Sequence, residues 1–286
     1  MLVSLKEVLK IAEEKKIAVG SFNAVSLASL KAVIGAAEEM RQPIVLQFAQ
    51  CHEGYNSVED VGPLMLKYAE RASVPVCVHL DHGEDLEYLK KALDIGFTGI
   101  MIDASVLPYE QNVELSSKAV EMAKAYGASV EAELGSMGRR ETGDGSRTGV
   151  DDETKIYTDP ALAAEFVRVT GIDALACSFG TTHGIYLKKP RLDFSVVANV
   201  RESTGGTPIV MHGGSGVSPE DFRKAIAAGV RKINYFTYMD RAGAQKVSDL
   251  LTSGTLTNPL FIDLTAAAEK AMMENVKEAI TVFSGL

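Results

Sequence analysis

The sequence has 286 residues, enough for one large domain or two small ones. Hydrophobic residues make up 46% and charged residues 23%, the balance of a folded globular chain and not of a disordered or fibrous one. A formal net charge of −9 argues against nucleic acid or an anionic membrane as the main partner, so an anionic ligand would have to be held by local groups.

The N-terminal stretch MLVSLKEVLKIAEEKK has the apolar spacing of an amphipathic helix and lacks the apolar core of a secretory leader. No apolar run approaches the ~18 residues of a membrane span, and a cytoplasmic location is expected. Eight short apolar runs then follow: IAVGSF (17–22), PIVLQF (43–48), PVCVHL (75–80), TGIMID (98–103), ASVEAEL (128–134), DALACSF (173–179), TPIVMH (207–212) and VRKINY (230–235). Most lack strict alternation, as parallel strands covered on both faces do. Helical patterns separate them. In 84–95, Leu86, Leu89, Ala92 and Leu93 share one face. In 218–228, Ser218 suits the N-cap, Pro219 the first helical position and Gly229 the residue after the end; a second such start lies at Thr158-Asp159-Pro160, with a stop near Gly171. Eight strands with intervening helices predict a single α/β domain over 1–286, a (β/α)8 TIM barrel with extra N- and C-terminal helices. A doubly wound open sheet is the rival, weakened by the lack of a GxGxxG after the first strand. The polar, glycine-rich segment 135–157 follows the fifth strand and is read as a mobile active-site loop, with a tolerated surface insertion as the alternative. The tail 261–284 carries one more long helical pattern, expected over the barrel end or against another subunit. Cys51, Cys77 and Cys177 lack metal-ligand spacing and read as reduced thiols.

Three of the five histidines follow the third, sixth and seventh strands: His82 in HLDHG, His183 in GTTHG and His212 in HGGSG. A barrel would gather them on one face, where three imidazoles with an open fourth position make a catalytic zinc site; the alternative is polar groups satisfied at a barrel rim. His79 is expected to be a hydrogen-bonded structural residue, and no role is given to His52. Asp81 beside the site is either a proton carrier or a partner that orients a histidine. Asp103 ends the fourth strand, and Glu131 and Glu133 share a face of the fifth, where they would hold a second cation or hydrogen-bond inside the barrel. The turn HGGSG after the seventh strand offers backbone N–H groups to a phosphate, if it is more than a tight turn.

These residues together resemble the class II, metal-dependent ketose-bisphosphate aldolases, of the fructose- and tagatose-1,6-bisphosphate type. The resemblance covers nearly the whole chain and rests on GSFNA (20–24), HLDHG (79–83), MID (101–103), VEAELG (130–135), TGIDALACSFGTTHG (170–184), HGGSG (212–216) and KIN (232–234). It implies reversible aldol cleavage of a phosphorylated ketose to dihydroxyacetone phosphate and an aldehyde. It implies one catalytic zinc ion per subunit on His82, His183 and His212, and a second divalent or monovalent cation near Asp103 and Glu133. Asp81 matches the acid/base for the C4 hydroxyl and Glu141 the group that moves the C3 proton. Gly184, Gly213, Ser215, Asn234 and Thr237 match positions that hold the dihydroxyacetone phosphate end, and Asn23 a pocket position. A homodimer or homotetramer is also implied. No Schiff-base lysine is required, and Lys232, near the start of its strand, is expected to lie away from the active face.

Three departures bear on the substrate. QFAQCHEG (47–54) stands where relatives often carry a serine-containing segment. Tyr235 and Phe236 precede Thr237 in place of small or acidic residues. NPLF (258–261) replaces an Asp-Pro-Arg stretch, so that Leu260 stands at an arginine position, and Arg139-Arg140 offers a different basic pair. A ketose 1-phosphate thus stays open beside the bisphosphates. The rival functions are a non-catalytic partner subunit of another aldolase, expected to have lost these ligands, and a metal-dependent barrel hydrolase, expected to carry an HxH pair on the first strand.

Overall fold

The computed structural model describes residues 1–135, 157–182, 190–254 and 258–286. Helix α1 (Leu5–Lys15) comes first, closed at its start by a capping box between Ser4 and Glu7. The strands are β1 (Val19–Asn23), β2 (Ile44–Ala49), β3 (Val76–Gly83), β4 (Gly99–Ile102), β5 (Ser129–Leu134), β6 (Ala174–Cys177), β7 (Ile209–Met211) and β8 (Val230–Tyr235). All pair in parallel in chain order, and β8 returns to β1 to close the barrel. The predicted barrel is therefore the observed one. Strand β8 coincides with its apolar run, β3 extends three residues beyond its run, and the other strands are shorter or displaced by one or two residues at an end.

Helices α2 (Leu27–Met40), α3 (Val58–Arg71), α4 (Leu86–Ile95), α5 (Tyr109–Tyr126), α6 (Pro160–Thr170), α7 (Phe194–Ser203), α8 (Pro219–Ala228), α9 (Thr237–Thr252) and α10 (Phe261–Ser284) form the outer ring. Their starts follow the local chemistry. Ser218 accepts from Asp221 N ahead of Pro219, Asp159 accepts from Ala161 N and Leu162 N ahead of Pro160, and Asp85 caps α4.

Helix α1 plugs the N-terminal mouth. Leu5, Val8, Leu9 and Ala12 pack with Val19, Val45, Cys77, Ala174, Ala176 and Val210 in one buried cluster at the lower end of the strands. The other extra helix, α10, lies in the ring and not over a barrel end, packed on α9 and α2. Ala18 N donates to Phe283 O at 3.0 Å, and the Phe283 ring meets Phe222 with centroids 4.9 Å apart. With the lower mouth closed by α1, the open end is the C-terminal one, where barrel chemistry sits.

Candidate active site

Strand β3 supplies two adjacent residues to the same site, which a regular strand cannot do because successive side chains point to opposite faces. The register explains it. His79 pairs with Gly99 and Leu80 with Ile100, but the next partner of Ile102 is Gly83, so β3 carries one extra residue. His82 takes up the bend with φ +45°, in the left-handed region. As a result Asp81 and His82 both face inward, and each offers a ligand atom within 4.8 Å of one on His212.

The two imidazoles converge. His82 Nε2 and His212 Nδ1 are 2.9 Å apart. Their other nitrogens are held by carboxylates: His82 Nδ1 is 2.8 Å from Asp103 Oδ2, and His212 Nε2 is 2.7 Å from Glu131 Oε1. Such partners fix the tautomer that leaves the inner nitrogens as ligands. Glu133 joins His82 and Asp103 in a second cluster of the same compactness. Burial opposes a charge on His82, but Asp81, Asp103 and Glu133 outweigh it and push its pKa up to about 10. Burial, then the neighbouring Asp103, push Glu133 up to about 8. Burial alone would raise Asp81 too, yet His82 and His212 turn its net shift downward, so it stays a carboxylate.

Asp81 is gripped by two amides. Gln47 Nε2 donates to Oδ2 at 3.0 Å and Asn234 Nδ2 to Oδ1 at 2.9 Å. Gln47 also donates to Asn23 Oδ1 at 2.7 Å, while its own oxygen accepts from the Ser21 hydroxyl. Gln47 was not singled out in the sequence. The available signal was a long polar residue inside a strand buried at every position.

Asn23, Asp81, Gly213, Ser215, Asn234 and Thr237 line one pocket beside the histidines. Gly213 has φ +65°, and a Cβ there would come within 2.4 Å of Thr182 O, so the segment after β6 and the turn after β7 meet only through glycine. The Ser215 hydroxyl accepts from Phe236 N at 3.3 Å, and Thr237 opens α9. The turn and the first turn of a 16-residue helix thus face the same pocket, an arrangement suited to an anion.

His183, Gly184 and Glu141 lie outside the described residues, as do Arg139 and Arg140. Two expectations need correction. His79 is fully buried and has no hydrogen-bond partner among the described residues: its Nε2 is 3.5 Å from Glu131 Oε2, and its ring packs on Gly99, where a Cβ would sit 2.6 Å from Nδ1. Lys232 is not remote from the site. It starts low on β8, but its extended side chain brings Nζ within 2.8 Å of Asn234 Oδ1 and 2.9 Å of Glu131 Oε2. Leu260 is 67% exposed at the start of α10 and is not among the residues lining the pocket.

The family model described as "Fructose-bisphosphate aldolase class-II" matches residues 3–285. This chain belongs to the class II fructose-bisphosphate aldolase family. A class II aldolase is a lyase, and the relatives agree. The chain is 41% identical over 257 residues to the probable fructose-bisphosphate aldolase of Bacillus subtilis, covering 88% of this chain and 87% of that one. It is 36% identical over 283 residues to the uncharacterized protein YdjI of Escherichia coli, covering 99% and 98%. The crystal structure of the YdjI aldolase superposes with a TM-score of 0.87 at 35% identity, over 99% of this chain and 97% of that one. A putative fructose-1,6-bisphosphate aldolase from Coccidioides immitis gives a TM-score of 0.83 at 29% identity, over 98% and 95%.

Class II aldolases are zinc-dependent, and the donor set here fits such an ion. Two inner imidazole nitrogens face each other with both outer nitrogens already committed to carboxylates. The surplus of acidic groups that would hold a proton on His82 would equally favour a cation. None of the described helices is long and apolar enough to cross a membrane.

Proposed function

We propose that this class II aldolase is zinc-dependent and reversibly cleaves a phosphorylated ketose to dihydroxyacetone phosphate and an aldehyde. The observation that carries this reading is the convergence of Asp81, His82 and His212 beside a glycine-rich turn and a helix start at the open barrel end. His82 and His212, with His183 by family pattern, would hold the catalytic ion, and Asp103 with Glu133 a second cation. When bound, zinc supplies Lewis-acid stabilisation for the negative charge that develops beside the substrate ketone.

The remaining chemistry belongs to the chain. Asp81, kept ionised, accepts the C4 hydroxyl proton as the C3–C4 bond breaks. Gln47 and Asn234 hold both its oxygens, so the base does not have to reorganise during the reaction. Gly213, Ser215 and Thr237, with Gly184 by family pattern, receive the phosphate of the three-carbon half, and Asn23 borders the pocket. Glu141 is assigned the return of a proton to C3, and the segment 135–157 that carries it is the active-site loop of a single 1–286 barrel domain. A cytoplasmic homodimer or homotetramer belongs to the same proposal.

The far end of the substrate is set by the departures. With Leu260 exposed and not among the residues that line the pocket, a 1-phosphate with a different terminal group competes with the 1,6-bisphosphates. A screen of ketose 1-phosphates against fructose and tagatose 1,6-bisphosphates, with zinc content measured in the same preparation, tests this. Turnover of a ketose phosphate is expected; absence of turnover with all of them would contradict it.

A further inference from the structure

Beneath the pocket lies a buried polar cluster that joins His212 to two groups with no assigned part in cleavage, Glu131 and Lys232. Lys232, Glu131, His79 and His212 are all fully buried. Glu131 bridges two of them: one oxygen is 2.7 Å from His212 Nε2 and the other forms a 2.9 Å ion pair with Lys232 Nζ. Lys232 in turn donates to Asn234 Oδ1 at 2.8 Å, and Asn234 donates to Asp81.

We propose that Lys232 is a positioning residue for aldol cleavage: its ammonium, anchored by Glu131, locks the Asn234 amide with its NH2 group toward Asp81. The inference rests on the reading of Asp81 as the acid/base. A primary amide can face either way, and its two ends differ only in hydrogen-bonding sense. An ammonium has donors only, so the Asn234 atom it meets must be the oxygen. An ionised carboxylate has acceptors only, so the atom facing Asp81 must be the nitrogen. The two constraints agree, and a flipped amide would set donor against donor at one end and acceptor against acceptor at the other. Alternation along β8 makes this possible, because Lys232 and Asn234 both point inward, one layer apart. Glu131 holds the ammonium and the outer nitrogen of His212 at once, so the histidine pair and the base share one support. The other oxygen of Asp81 accepts from Gln47, whose own oxygen accepts from the Ser21 hydroxyl, a group that can also accept and so does not impose the orientation as the ammonium does.

The test compares Lys232→Met, Asn234→Ala, the double variant of the two, and Asp81→Asn in the zinc-loaded protein. Two rates are read: carbon–carbon cleavage of the preferred ketose phosphate, and exchange of the dihydroxyacetone phosphate C3 proton with deuterium, a partial reaction that does not use Asp81. Zinc content and the melting temperature are recorded alongside. Lys232→Met is expected to lower kcat for cleavage about 100-fold, with KM within about threefold and exchange nearly unchanged. Adding it to Asn234→Ala is expected to cost little more, because both act through one hydrogen-bonded chain. Cleavage within about twofold of the parent, a parallel fall in exchange, or full additivity with Asn234→Ala would overturn the proposal. If Lys232→Met fails to fold because Glu131 loses its counter-charge, Glu131→Gln with Lys232→Met removes both charges and is read against Glu131→Gln alone, which carries the effect of Glu131 on His212, with the same outcomes for the added lysine change. Asp81→Asn separates the two readings: if it keeps cleavage, the acid/base assignment fails; if it loses cleavage while Lys232→Met does not, only the lysine's role fails.

Discussion

His82 holds a backbone conformation that a histidine adopts at a cost of order 1–3 kcal/mol, and the bulge in β3 exists to accommodate it. The return is geometric, since a proton carrier and a ligand become sequence neighbours that share one face. Asp103 is the partner that keeps the imbalance in place, through its 2.8 Å contact with His82 Nδ1. Asp103→Ala is expected to weaken zinc binding by about 10–100-fold, as read by competition with a chromophoric chelator; unchanged affinity would remove Asp103 from the site. Asp81→Asn keeps the shape but cannot take a proton, so kcat should fall by about 10²–10⁴-fold while zinc content and the melting temperature hold. HLDHG and HGGSG stood out in the sequence because each comes at or just after an apolar run, and the structure brings His82 and His212 together. The orientation of His82 was not readable, because alternation alone sends it outward. Gln47 and Lys232 were missed for a related reason: each matters through side-chain contacts inside the barrel, Gln47 with Asp81 on the next strand and Lys232 with Asn234 and Glu131, which the pattern of apolar runs does not show.

At the scale of elements, the strand pattern translated well because each apolar run is bounded by helix signals, and Ser218-Pro219 and Asp159-Pro160 start helices where their chemistry requires. The placement of the two additional helices was less legible. Both are amphipathic, but a hydrophobic face does not state which surface it covers. Helix α1 turned out to seal the lower mouth, and α10 to complete the ring. Leu9, 1% exposed, fills the barrel floor, far from the pocket. Leu9→Ala should destabilise the fold by about 2–5 kcal/mol in denaturant unfolding and leave KM unchanged. A stability loss below about 1 kcal/mol would mean that the plug is not an integral part of the core.

For the whole molecule, the barrel divides its interior by polarity: an apolar floor, a buried charged layer around Glu131 and Lys232, and an open polar mouth. The buried thiols report on that interior. Burial pushes Cys77 and Cys177 up to about 12 from an ordinary value of 9.0. Between these values the unfolded chain loses thiol protons that the folded chain keeps, so stability is full below about pH 9 and falls as pH rises toward 12. Native protein should therefore offer a thiol reagent only the exposed Cys51, and denatured protein all three cysteines; rapid labelling of Cys77 in the native state would contradict this interior. The most direct test of the account as a whole is release of dihydroxyacetone phosphate from a ketose phosphate before and after the metal is stripped. The account predicts that chelation abolishes release and that about one zinc ion per chain restores it. Full activity in the stripped protein would contradict it.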